Sequence, residues 1–214
     1  MLTRPMKRSG LLRRFWQHIP EADPGYPEKA NCLRTRLLAA GLLSCKDFHP
    51  VNRKTLKDSG FAGFRPLKDL EISRIPQRQG LFAILRPDGF EPRYLAKSTA
   101  GVFKKKNPSL TGAELAGEWV ADADVLFLGK AGPGSKGNRG LRRQIQEFVD
   151  FGKGKPPGHW DGRLVWQLAD AGSLLVAWKE LPVEELNAAL ADYQARFRES
   201  YGRLPYANLV PARA

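Results

Sequence analysis

Apolar residues along this chain follow two spacings, and each spacing predicts one kind of element. Short apolar runs bounded by turn residues occur at 80–86 (GLFAILR), 125–129 (VLFLG) and 174–178 (LLVAW), and they predict strands. Apolar residues three and four positions apart predict amphipathic helices over 141–151 and 183–200. Strands and helices in this order predict an α/β protein with a small central sheet flanked by helices.

The chain divides into three parts by composition. Residues 1–30 are basic and then rich in Pro and Gly, which predicts a basic arm and a linker. Residues 31–79 are predicted to form a helical extension, and residues 80–214 the sheet-bearing domain. Weaker patterns predict strands at 93–97, as the hairpin partner of 80–86, and at 164–168, and helices at 31–43, at 51–59 and shortly before Trp119.

The charge of the chain favours an anionic partner. It contains 35 Lys and Arg against 22 Asp and Glu, a formal net charge of +13. Such an excess attracts polyanions through counterion release. Basic residues are concentrated in 1–20 and 130–155. We therefore expect a nucleic acid, with DNA as the first candidate, to meet those segments. An acidic partner protein is the alternative from another class.

Other partners and cofactors lack a signal in the sequence. Cys32 and Cys45 stand apart from any CxxC or Cys/His cluster, so no zinc site is predicted, and reduced thiols suit a cytoplasmic protein. Every apolar run is shorter than the roughly 20 residues of a membrane span, so no membrane partner is expected. The Gly-rich loop 130–140 matches neither GxxxxGK[ST] nor GxGxxG, so no nucleotide cofactor is predicted.

Five segments in order resemble the GIY-YIG nuclease family. GLF (80–82) corresponds to its first motif strand, and FLG followed by Lys130-Ala131 corresponds to its second. LRRQIQEF (141–148) resembles the basic helix that follows. GHWDGRLVWQL (158–168) and GRLPYAN (202–208) resemble a bacterial branch of the family. The resemblance covers residues 80–210 and implies an insertion between the two motif strands.

The resemblance implies hydrolysis of a phosphodiester assisted by Mg²⁺, and this chain departs from the residues that chemistry uses. Phe82 and Phe127 stand where the family has tyrosines, so the hydroxyls are missing. Gln144 stands at the position of the family's arginine, with Arg143 beside it. The position of the metal-binding glutamate falls on Leu190, or on Leu186 after a shift of one turn.

These replacements predict a retained fold with weak or absent catalysis. We expect Phe82 and Phe127 to lie side by side at the sheet centre, with Gln144 facing them and Leu186 or Leu190 closing the space. The alternative is an active Mg²⁺-dependent endonuclease that recruits Arg143, His159 and either Glu184 or Glu185, with Glu185 as the metal ligand. His159 serves as a base or phosphate ligand in that case, and otherwise as a loop histidine.

The residues expected to contact nucleic acid are mainly basic. Asn208 matches the family's terminal asparagine, although an asparagine after Pro205 also suits a turn. Trp160, Trp166 and Trp178 are candidates for stacking on bases, but the positions of the last two within predicted strands favour the core. The predicted binding set is Lys130, Lys136, Arg139, Arg142, Arg143, Arg163 and Asn208.

Overall fold

A four-stranded antiparallel sheet forms the centre of the protein. The computed structural model describes residues 50–135, 137–155 and 160–212, all within the compact unit that spans Cys45–Ala214. The strand order is β1-β4-β2-β3, so β2 and β4 are central and β3 is an edge. The strands are β1 (Ala62–Pro66), β2 (Gly80–Leu85), β3 (Val125–Ala131) and β4 (Leu175–Glu180). The three strongest predicted strands therefore share one sheet, as expected.

Four α-helices lie in the described part of the chain. The two longest confirm the helices predicted from apolar spacing, and the second of them follows a 3-10 turn at Val183–Glu185. The helices are α1 (Arg53–Asp58), α2 (Gly112–Glu118), α3 (Leu141–Gly152) and α4 (Leu186–Tyr201). The predicted arm over 1–30 and the predicted helix over 31–43 lie outside the described residues. Among the described residues, no helix has the length and apolar character to cross a membrane.

Helices α3 and α4 cover opposite faces of the sheet. On one face, Phe82 and Ile84 of β2 pack in a cluster that includes Ile145 and Phe148 of α3. On the other face, Leu81, Ala83 and Leu85 belong to a cluster with Leu186, Leu190 and Phe197 of α4. Because β2 is covered on both faces, all six of its residues are buried, which explains its continuous apolar sequence.

Three sequence predictions about strands are wrong. Residues 62–66, predicted as part of a helical extension, form β1 and pair with β4. Residues 93–97 do not pair with β2, whose two neighbours are β3 and β4, and Tyr94 makes one isolated bridge to Leu168. Residues 164–168 are not a strand, because Arg163–Gln167 is a 3-10 turn.

Buried polar contacts account for the 3-10 turn at 163–167. The side chain of Gln167 is fully buried. Its amide nitrogen donates to the carbonyls of Leu95 (2.9 Å) and Leu110 (2.7 Å), and its Oε1 accepts from the N–H of Leu110 (2.9 Å). These bonds attach the turn to the connection between β2 and β3, so its backbone does not continue the sheet.

Candidate functional site

Phe82 and Phe127, the two positions at which the resemblance implies tyrosines, lie side by side in the sheet. Phe82 of β2 pairs with Gly129 of β3, and Ile84 pairs with Phe127, so the two phenylalanines are diagonal neighbours. Their ring centres are 5.7 Å apart. The structure confirms the predicted side-by-side placement, but the predicted position at the sheet centre is wrong for Phe127, which lies on the edge strand β3.

Helix α3 closes the space above these two rings. The ring of Phe148 stacks on Phe127 with centres 6.0 Å apart and lies 6.1 Å from Phe82. Gly129 permits this packing, since a Cβ there would lie 2.6 Å from Cε1 of Phe82. Gly162, which precedes the 3-10 turn at 163–167, also packs closely here, since a Cβ at Gly162 would lie 3.0 Å from Cε2 of Phe148. Helix and loop therefore fill the position in front of the motif strands.

The exposure of the three rings shows how complete this closure is. Phe82 and Phe148 are 0% exposed and Phe127 is 2% exposed. A phosphate and an attacking water both need a polar position that solvent can reach. The phenylalanine cluster of Phe82, Phe127 and Phe148 instead belongs to the hydrophobic core.

The expected closure by helix α4 is wrong. Leu186 and Leu190 pack on the sheet face opposite Phe82, together with Leu81 and Leu128. The side chain of Gln144 is half-buried, and its Oε1 accepts from the guanidinium of Arg139 at 3.4 Å. Gln144 therefore contacts the Gly-rich loop on the flank of α3.

A carboxylate that the sequence patterns missed lies one turn beyond Arg143. The side chain of Glu147 is 12% exposed, and its two oxygens accept separately from Arg139 and from Arg143, the latter at 3.1 Å. Both arginines were predicted to bind phosphate, but each has a carboxylate partner here. The (i, i+4) spacing of Arg143 and Glu147 is the signal that indicates this pair.

Arg142 contacts the protein backbone. Its guanidinium donates to the carbonyls of Ile75 and Ser73, both at 2.7 Å. The N–H groups of Leu141 and Arg142 donate to the carbonyls of Arg78 and Pro76 at 2.9 and 3.0 Å. The segment before β2 therefore occupies the start of α3, a position at which helices can otherwise bind anions.

Lys130 and Glu185 are set apart from the phenylalanine cluster. Lys130 is exposed on β3, and its ammonium donates to Oδ1 of Asn187 on α4. Glu185 is exposed in the turn that precedes α4, and so is Glu184. Because α4 covers the opposite face of the sheet, the structure does not bring Glu185 together with Phe82 and Phe127.

Asn208 pairs with the edge strand. Its Oδ1 accepts from the N–H of Leu128 at 2.8 Å, and its Nδ2 donates to the C=O of Leu128 at 2.9 Å. The N–H of Ala207 also donates to the C=O of Leu126 at 2.8 Å. The C-terminal segment thus covers the free edge of β3, and the Asn208 carboxamide is used in the protein itself.

Arg163 takes part in a stack of cations and aromatic rings. Its guanidinium lies 4.3 Å from the ring centre of Trp160, and Trp160 stacks on Phe103 with centres 6.1 Å apart. The ammonium of Lys104 lies 5.3 Å from the ring centre of Phe103. Partial burial of the Arg163 guanidinium lowers its pKa from the usual value. We call Arg163, Trp160, Phe103 and Lys104 the aromatic column.

A cavity of about 720 Å³ lies at the other end of β2, where Leu85 is followed by Arg86. Burial raises the pKa of Asp124, and Arg53 partly opposes this increase. The backbone N–H of Arg53 donates to Oδ2 of Asp124 at 2.7 Å. The guanidinium of Arg53 donates to Asp88 at 3.0 Å and to the carbonyl of Arg86 at 2.7 Å. Charges of both signs thus neutralise one another along this cavity.

Two predicted site residues, Lys136 and His159, lie outside the described residues. Within the part of the chain that is described, no group of three or more His, Cys, Asp and Glu side chains is arranged to hold a metal ion. Comparison with protein-family models, with curated proteins and with solved structures gives no match. The site is therefore interpreted from its own geometry.

Proposed function

We propose that this chain is a nucleic-acid-binding protein of the GIY-YIG type that does not cleave phosphodiesters. The observation that carries the proposal is the buried phenylalanine cluster at the two motif strands. Phe82 and Phe127 occupy the places of the family's tyrosines, and their rings are 0% and 2% exposed. The sheet that carries the motif is retained, while its chemically active surface is replaced by core packing.

The replaced groups are those that lower the barrier to phosphodiester hydrolysis. A phenyl ring neither accepts a proton from water nor hydrogen-bonds to a phosphate. A neutral glutamine at 144 lacks the charge that stabilises the transition state. Loss of one such stabilising group costs about 3 kcal/mol of barrier, or about two orders of magnitude in rate. Three or four losses together leave little rate acceleration.

Glu147 defines the strongest form of the alternative, an active endonuclease. It precedes Phe148 on α3 and is the buried carboxylate on the side of the sheet that carries the phenylalanine cluster. Its oxygens are already bonded to Arg139 and Arg143. A Mg²⁺ ion would have to displace at least one arginine, and these cations would repel it. We therefore favour binding without hydrolysis.

Charge supports the choice of nucleic acid as the partner. The net charge of +13 is large for 214 residues, and phosphate contacts need only exposed cations without the exact geometry of a catalytic site. Lys104, Lys105, Lys106 and Lys153 are all exposed in the structure. An acidic protein would satisfy the same charges, so the experiment must separate the two partners.

Fluorescence anisotropy with labelled DNA and RNA tests this proposal. We expect binding in EDTA as well as in Mg²⁺, with an affinity that falls linearly with salt on logarithmic axes. Arg143→Gln should flatten the slope by about one unit if Arg143 contacts a phosphate. Arg74→Gln is the matched control, because Arg74 likewise pairs with a nearby glutamate, Glu71, at 2.7 Å. Absence of binding at low salt would refute the proposal and favour an acidic protein partner.

A further inference from the structure

The connection between β2 and β3 carries a lysine turn of unusual backbone conformation. The N–H of Lys106 donates to the C=O of Phe103 at 2.9 Å, and the N–H of Phe103 donates back to the C=O of Lys106 at 3.3 Å. Lys104 and Lys105, which lie between them, have φ values of 49° and 62°. Such a two-residue turn needs positive φ at both positions and therefore favours Asn-Gly.

Lysine at these two positions has a conformational cost that the fold does not require. The left-handed region is disfavoured for residues with a Cβ, and lysine lacks the local hydrogen bonding that helps asparagine there. Strained backbone of this kind is concentrated at functional positions in proteins. The turn thus presents Lys104, Lys105 and Lys106 to solvent where less strained, uncharged residues would close it equally well.

More positive charge surrounds the turn. The N–H of Gly101 donates to the C=O of Phe151 at 3.0 Å, so the lysine turn starts beside the end of α3. Exposed Lys153 and Lys155 follow directly on that helix. Lys155 has a partner in Asp150 at 3.5 Å. The aromatic column therefore lies within a region in which cations outnumber carboxylates.

We infer that the aromatic column and the lysine turn form the binding site for a single-stranded nucleic acid. This inference rests on the proposed function. An unpaired base stacks on Phe103 in the place that Lys104 occupies in the free protein, Trp160, itself covered by Phe103 and Arg163, supports that ring, and the lysines of the turn contact the phosphates. Stacking of a base on an aromatic ring is stronger than an exposed cation–π contact. A base therefore displaces the ammonium of Lys104 from above Phe103, and the freed ammonium moves to a phosphate.

The aromatic component selects single strands over duplexes. In a duplex the base faces are stacked within the helix, so the rings of Phe103 and Trp160 gain no contact and only the phosphates remain. Both rings are half-buried against the core, which holds them in place before a ligand arrives. Phe103 and the lysine turn lie in the connection between β2 and β3, whereas Trp160 and Arg163 follow α3.

The double variant Lys104→Asn/Lys105→Gly tests the site while preserving the turn. Asn-Gly is the preferred sequence for this turn, so the variant should unfold at the same or a higher temperature than wild type. We expect its affinity for a short single strand to fall about tenfold, and its salt slope to flatten by about 0.7 for each phosphate that the variant no longer neutralises. Lys54→Gln/Lys57→Gln removes two exposed lysines from α1 and is the control for net charge.

A second variant isolates the aromatic contribution. Phe103→Leu keeps an apolar side chain against the core and removes the ring. We expect it to weaken binding of single-stranded DNA and RNA severalfold while duplex binding changes little. Separate measurements with DNA and RNA of one sequence show which sugar the site prefers.

The outcomes distinguish this inference from the proposed function. If wild type binds nucleic acid and the Asn-Gly variant binds single strands as tightly as the α1 control, the inference is wrong and the proposed function stands. Equal effects of Phe103→Leu on single strands and duplexes would also overturn the inference. If wild type binds no nucleic acid at all, the proposed function itself fails.

Discussion

The carboxamide of Asn208 hydrogen-bonds to both backbone groups of Leu128, at 2.8 Å from its N–H and at 2.9 Å from its C=O. A side chain here takes the place of a neighbouring strand on the open edge of β3. Leu128 is 1% exposed, so its backbone groups have little access to water as an alternative partner. Asn208 therefore has a structural task at the sheet edge.

Replacing Asn208 by alanine should destabilise the protein. The change leaves a donor and an acceptor of Leu128 without their partners, which we expect to cost about 2 kcal/mol of unfolding free energy. Asn187→Ala is the control, because Asn187 is exposed on α4 and should change stability by less than about 0.5 kcal/mol. Urea denaturation of both variants gives the comparison. Equal stability of Asn208→Ala and wild type would mean that the edge of β3 is satisfied in another way.

Glu147 should matter more for stability than an exposed carboxylate in a similar ion pair. Its side chain is 12% exposed and holds Arg139, which is 34% exposed. Glu147→Ala removes the carboxylate partner of that partly buried guanidinium and leaves it only the 3.4 Å contact with Gln144, so we expect a loss of about 2 kcal/mol. Glu71→Ala removes a 61% exposed partner of Arg74 and should cost roughly 0.5 kcal/mol or less. Similar losses in both variants would contradict the structural role of Glu147.

The phenylalanine cluster should not accept a hydroxyl. Phe82→Tyr introduces the tyrosine that the proposed GIY-YIG relationship implies at this position, but it places a polar group among buried rings. Without a hydrogen-bond partner, the hydroxyl should lower the unfolding free energy by about 1–3 kcal/mol. Phe103→Tyr is the control, because that ring is half-buried and its hydroxyl can reach water. If Phe82→Tyr is as stable as wild type, the site in front of the motif strands is open to solvent.

Tyr206 should make stability fall in alkaline solution. Burial raises its pKa far above the usual value, and nearby Tyr94 and Glu118 add to the effect. The folded state then keeps this proton at a pH where the unfolded chain has released it. Below the unfolded pKa of about 10, both states keep the proton and Tyr206 does not make stability depend on pH. Above that pKa the unfolded chain is favoured, so the free energy of unfolding falls as pH rises. Urea denaturation from about pH 8 to 11 should show a weaker decline for Tyr206→Phe than for wild type, because phenylalanine has no proton to release. Equal declines would exclude Tyr206 as a cause.

The strongest apolar patterns correctly predict three of the four strands and the two long helices. The errors have physical causes in particular residues. β1 was missed because AGFRP is short, contains Gly and Pro, and has Phe64 at a φ of 52°. LVWQL has the apolar character of a strand, but burial around Leu164 and Val165 comes from a 3-10 turn attached through Gln167. Short apolar runs do not distinguish these two conformations.

The candidate site was predictable only in part. Strand order and register make Phe82 and Phe127 neighbours, as the resemblance to GIY-YIG nucleases implies. The placement of α4 on the opposite face from Phe82 does not follow from its amphipathic stripe, because a stripe shows that a helix is buried but not against which face. The aromatic column joins Phe103 and Trp160, which are far apart in sequence. Only the tertiary structure brings them together.

Cleavage under saturating binding is the most direct test of the central claim. Protein should be mixed with single-stranded, duplex and branched DNA, and with RNA, in Mg²⁺ or Mn²⁺ and in EDTA. The buried phenylalanine cluster predicts no product above the EDTA control. Cutting that disappears in Arg143→Ala, Glu147→Gln or Glu185→Ala would contradict the claim and establish the endonuclease alternative. Cutting that survives all three changes would contradict it too, and His159 would be the next residue to replace.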